Sequence, residues 1–196
     1  MSDGCLLAAQ NNLADALSVL AATWAFFGVD DLEVPAVPGS DQLVPATDAQ
    51  KTAASRARIY QDGLPRPASG TSEYTVDELA ALRPYVVVEM ELENGFLLEA
   101  DSASSYRAAG RLLARFCDNV EDADLLDGLP TAAAIVAFKQ SIGAILDEMS
   151  APAHVATTYF RAERMMVDGP FCTDPDKVET EGAAQEYVVH FEWQGV

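Results

Sequence analysis

Apolar positions repeat with two different periods along the chain. Leu13, Leu17, Leu20 and Trp24 recur at helical spacing and predict a helix over Leu13–Phe27. Asn11-Asn12 is its expected cap and Gly28 its stop. Ile135, Phe138, Ile142, Ile145, Leu146 and Met149 recur at three- and four-residue steps, so Leu129–Met149 is the clearest helix, with Pro130 in its first turn. Asp147 and Glu148 sit near its C-terminus, where the helix field disfavours acids. Thr75-Val76-Asp77-Glu78 is a capping-box sequence that opens a short helix through Leu82, stopped by Pro84.

Other stretches follow the strand period. Tyr187, Val189, Phe191 and Trp193 alternate with Val188, His190, Glu192 and Gln194, which predicts a strand with one buried face. Tyr85–Leu92 is rich in β-branched residues and runs to Asn94-Gly95, then Phe96-Leu97-Leu98; this reads as a hairpin in the middle of an antiparallel sheet. Ala57–Tyr60 reads as a short strand ending at Asp62-Gly63, and Val155–Asp168 as a longer one. Asp168-Gly169-Pro170 through Asp176 reads as a loop. Tyr106–Phe116 fits either period: Arg107, Arg111 and Arg115 share one face of a helix or of a strand. Val29–Ser55 carries Pro35, Pro38, Gly39 and Pro45 and shows no period, so it reads as a Pro/Asp-rich loop or arm. Its Leu32, Val34, Val37 and Leu43 predict that it lies along a neighbouring surface.

Strands broken by one long helix predict a single α+β domain over residues 1–196. Its antiparallel or mixed sheet packs against an N-terminal helix and the long helix between strands. Half the residues are hydrophobic (49%), enough for a sizeable core. The net charge of −19 disfavours broad gripping of nucleic acid or of an anionic membrane. Cys5, Cys117 and Cys172 lack CxxC spacing and read as free thiols. The N-terminus has no basic region before its apolar stretch, so a secretory signal is not expected. Asp15 inside Leu13–Val29, and Asp30-Asp31 after it, predict a buried helix and not a membrane span.

Chemistry-bearing patterns are sparse. Only two histidines occur, His154 and His190, without a zinc-ligand spacing or a G-x-S-x-G elbow. No phosphate-binding glycine motif is present. Asp118–Gly128 is dense in acids but out of register with a calcium loop, leaving a solvated acidic turn as the plainer reading. No catalytic, cofactor-binding or metal-ligating residue is therefore assigned. The one local reversal of charge is the row Arg107, Arg111, Arg115. It reads either as paired with acids such as Glu89 and Glu91 or as a contact for an acidic neighbouring subunit.

Several segments resemble phage tail terminators and tail-completion (neck) proteins. They are Arg58-Ile59-Tyr60, Leu82–Val88, Tyr106–Leu112, Ser141–Glu148, Val167–Phe171 and Val188–Gly195. The order of elements is similar too, and the resemblance favours a strand for Tyr106–Phe116. The arm over 29–55 departs from it. The resemblance implies a non-enzymatic virion protein, made in the host cytoplasm. It would form a homo-oligomeric, hexameric ring that caps the tail tube and joins it to the neck and head. DNA would pass through such a ring without specific binding, and no membrane is involved. Its implied partners are copies of itself, the tail tube and the neck or head-completion proteins. Candidate subunit-interface residues are Arg107, Arg111, Arg115, Leu32, Val34, Val37 and Leu43. Another connector, neck or baseplate component, or a non-viral α+β protein-binding module, is the alternative.

Overall fold

The structure is a computed structural model that describes residues 3–91, 97–102, 105–157 and 162–195. It is an α+β fold. A mixed sheet is built from β3 (Ile59–Gln61), β4 (Tyr85–Met90), β6 (Ser105–Asn119), β10 (Ala184–Gly195) and β9 (Ala162–Cys172), in that order. β5 (Leu97–Ser102) pairs with β6 beyond the end of β4. All pairings are antiparallel except β3 with β4, which are parallel and joined through α4 (Val76–Leu82).

Alternation decides which side is core. Val86 and Val88 of β4, Leu112, Ala114 and Phe116 of β6, and Tyr187, Val189 and Phe191 of β10 point to one face and are buried. α1 (Asp3–Ser18), α2 (Ala21–Phe26) and α5 (Ala132–Met149) cover that face with Leu13, Leu17, Leu20, Phe138, Ile142 and Ile145. Phe26 meets Phe116 edge-on, with ring centroids 5.8 Å apart. Of the predicted residues, Phe138, Ile142, Ile145, Met149, Tyr187, Val189 and Phe191 are in the core and Leu146 packs against it, Ile135 is only half-buried, and the Trp193 side chain lies outside the described residues.

The N-terminal helix differs from expectation. Asn11-Asn12 lies inside α1, and the helix breaks at Leu20, whose backbone is extended. The break has a distant cause. Both oxygens of Glu148, in the last turn of α5, accept N–H bonds from Ala21 and Ala22 at 2.9 and 2.8 Å. The acid that opposes the field of its own helix therefore caps the start of another. Gly28, at φ +64°, ends α2 as expected: its N–H bonds Ala25 and that of Val29 bonds Trp24, the two bonds of a Schellman close.

Residues 29–55 are more ordered than a featureless arm. β1 (Glu33–Pro35) and β2 (Leu43–Pro45) form a small hairpin, and α3 (Asp48–Arg56) follows. The two prolines sit at the ends of a two-stranded ribbon, where the missing N–H costs little. Thr47 and Gln50 make a reciprocal capping box for α3. Leu32 packs against the core and Ala46 is buried, so the segment is tied to this chain.

The central hairpin is also rearranged. β4 and β5 do not pair with each other; both pair with β6, and Ser102 faces Ser105 at the turn end. Asn94-Gly95 lies outside the described residues. Tyr106–Phe116 is strand. The stretch read as one strand from Val155 divides: α6 occupies Pro152–Thr157, and β9 begins at Ala162. β9 then continues through Gly169-Pro170, which were read as loop. There the register with β10 shifts between Glu186 and Val188, a bulge. Gly169 has φ +127°, and a Cβ on it would stand 2.9 Å from the Glu186 carbonyl oxygen, so glycine is what lets the strand pass.

In the acidic stretch, a 3-10 turn (Asp122–Asp124) leads into a hairpin of β7 (Leu125–Leu126) and β8 (Leu129–Pro130). Pro130 therefore precedes α5, and Thr131 is its N-cap. A last short helix, α7 (Val178–Glu181), precedes β10. Among the described residues no helix is long and apolar enough to cross a membrane.

Candidate functional site

The face of the sheet away from α1, α2 and α5 is the candidate site. At one end it carries a small second core of Tyr85, Val87, Cys117 and Ala184 under Tyr60, Leu64 and Leu82. Across the rest of it runs a ladder of charges. Strand alternation that buries Leu112, Ala114 and Phe116 turns Arg111 and Arg115 outward onto this face.

Each arginine bridges two strands. Arg115 of β6 reaches Glu89 of β4 at 2.9 Å and Glu186 of β10 at 3.3 Å. Arg111 reaches Glu192 of β10 at 3.1 Å and stands 3.8 Å from Glu91, beyond the end of β4. Register explains this, since Val87 and Val188 both pair with Arg115, and the acids flank those positions on the same face. Burial opposes the charge on Arg115, but Glu89 and Glu186 outweigh it and its pKa is raised. Burial likewise pushes the Glu186 carboxyl up, against the pull of Arg115. Pairing with Glu89 and Glu91, one of the two readings of the row, is thus present for Arg111 and Arg115. The Arg107 backbone pairs with Glu99.

His190 continues the ladder. Its Nε2 lies 2.9 Å from Asp168 Oδ2, and its Nδ1 lies 3.9 Å from Glu91 Oε2. Both ring nitrogens face carboxylates. His154 is buried in α6, where burial lowers its pKa and Glu148 opposes that. Cys117 is buried, and burial pushes its thiol up, away from the reactive thiolate. Cys172 is partly buried and free. Among the described residues no three His, Cys, Asp or Glu side chains converge as a metal cage.

β9 forms the border of this face. Among the described residues it pairs on one side only, with β10. Met166, Val167 and Phe171 on it are exposed. Val167 pairs with Val189 and shares its core-facing side, yet it is 43% exposed. The pattern of large apolar residues in β9 was visible in the sequence; its position at the sheet border was not.

The other sequence candidates lie apart. Leu32 is half-buried against the core, Val34 is half-buried in β1, and Val37 and Leu43 are exposed on the small hairpin. No protein-family model matches the chain, and no curated protein matches it.

Proposed function

We propose that the chain is a non-enzymatic structural subunit that assembles through its sheet, of the kind that caps a phage tail tube and joins it to the neck. The observation that carries this reading is the edge of β9, which among the described residues has no partner strand on its outer side. An eleven-residue strand that pairs on one side only among the described residues, with Met166, Val167 and Phe171 exposed, suits docking of another chain. The charge ladder fits the same use. Arg111 and Arg115 offset part of the charge of Glu89, Glu91, Glu186 and Glu192, so the face repels an approaching copy less than the acids alone would. The resemblance supplies the ring, the tail tube, the neck or head-completion partners and the passage of DNA. An acidic ring around moving DNA would not hold it. Arg107, Arg111, Arg115, Leu32, Val34, Val37 and Leu43 remain the proposed contacts beyond the edge.

Sedimentation and electron microscopy of the purified protein test this. With −19 on every copy, raising salt from very low to moderate levels should strengthen self-association, because the Debye length shrinks to about 8 Å at physiological salt. Val167→Lys should weaken association and leave the melting transition nearly unchanged. A wild type that stays monomeric at every salt and concentration, with or without purified tail tubes, removes the reading.

A further inference from the structure

The core-facing rows of β6 and β10 end in polar residues. Leu112, Ala114 and Phe116 are followed on the same side by Asp118, and Phe191, Val189 and Tyr187 by Gln185. Asp118 and Gln185 are register partners, so they lie side by side at the sheet end. A cavity of about 250 Å³ lies there, with Ala134, Ala137, Phe138 and Ser141 of α5 on one side and Glu121 and Asp124 on another. Small residues on α5 leave the space open.

The lining accepts hydrogen bonds and offers few. Gln185 is 5% exposed, and its Oε1 is buried without a partner. Ser141 donates its proton to the Ala137 carbonyl, which leaves its oxygen as an acceptor. Burial raises the Asp118 pKa, opposed by the Asn119 N–H and by Arg83. Arg83 is committed elsewhere, to Asn119 Oδ1 and the Glu181 carbonyl. A buried carbonyl without a donor is unfavourable, and acids stand beside it, so the cavity favours a ligand that brings donors and positive charge. A guanidinium fits best. Its planar fork supplies five donors.

The same chain carries a matching group. Among the arginines whose side chains are described, Arg56, Arg58, Arg83, Arg111 and Arg115 all have partners within the chain. Arg66 has none: it stands exposed between Pro65 and Pro67 on the loop after β3. Leu64, two residues earlier, packs on the second core, so this loop lies on the face opposite the cavity. A donor on one face and an acceptor on the other make a head-to-tail contact, the type that closes into rings.

We propose that Arg66 of one copy docks in the Asp118–Gln185 cavity of the next. The proposal rests on the assembly reading for the existence of a next copy. It is tested by sedimentation of wild type, Arg66→Glu and Ala137→Phe at moderate salt. Both substituted positions are exposed, so folding should be kept, and an unchanged melting curve checks it. Each variant alone should associate at least ten-fold more weakly than wild type. An equimolar mixture should stop at a heterodimer, since one variant keeps the arginine and the other keeps the cavity. N-acetyl-arginine methylamide, added to Arg66→Glu, should shift the amide signals of Ala134, Ser141 and Gln185, and its citrulline analogue should not. Variants that associate like wild type, or equal shifts from citrulline, overturn the docking and leave the assembly reading standing. A wild type that never associates overturns both.

Discussion

The two faces of the central sheet are made by the same strands and held by different physics. On the helix side, Phe116, Val189 and Phe191 are fully buried and their contribution scales with the apolar area they remove from water. On the other side, Arg111, Arg115, Glu89, Glu186 and Glu192 hold one another across strands while remaining partly in solvent. A residue and its neighbour in β6 thus answer to different rules. The first face is sensitive to shape and indifferent to salt. The second is sensitive to charge and tolerant of shape.

The largest break in that contrast is Phe116→Ala. It leaves a void against Phe26 and should cost about 3–5 kcal/mol, read from denaturant unfolding. A cost no larger than that of a charge-ladder variant would erase the distinction between the faces. Glu148→Ala should cost about 1 kcal/mol, because two N–H groups at the start of α2 lose their acceptor. Amide exchange should quicken at Ala21 and Ala22 and stay unchanged in β10; uniform quickening would mean that the cap holds more than α2.

Smallest is Arg115→Ala. Partial exposure screens its pairs, so the loss at neutral pH should stay below about 1 kcal/mol. Its pH dependence is more telling. Glu186 already has a raised pKa, and removing Arg115 raises it further. A raised acid favours the folded state at low pH, and that benefit is lost as pH rises through its folded pKa. Variant and wild type should therefore match well below the ordinary glutamate value of 4.5 and diverge above it. Parallel stability curves across that window would show that Arg115 acts by packing alone.

Much of the fold was legible because its signals are local. The β10 alternation, the α5 stripe and the Thr75–Glu78 box each need only their own neighbourhood, and each forms as expected. The same kind of signal was present and missed for α3, where Thr47 and Gln50 are spaced as a capping box. The break at Leu20 could not be read locally, since its cap is Glu148, 127 residues away in sequence from Ala21. The hairpin turn was placed at the strongest dipeptide, Asn94-Gly95, but β4 and β5 both serve β6. Within the candidate site, the outward arginines were legible from parity. The β9 border and the pairing of Asp118 with Gln185 required the register.

The order of strands has a consequence for the chain as it is made. β10 lies between β6 and β9, yet it follows both in sequence. During synthesis β6 and β9 are complete while the slot between them is empty. Each then shows an unpaired edge, and the core residues of β6 lack their neighbours Tyr187, Val189 and Phe191. The sheet closes by insertion of a late strand and not by addition at a border. Until that strand is available, a nascent chain has the β10-facing edge of β6 and both edges of β9 without a partner strand among the described residues.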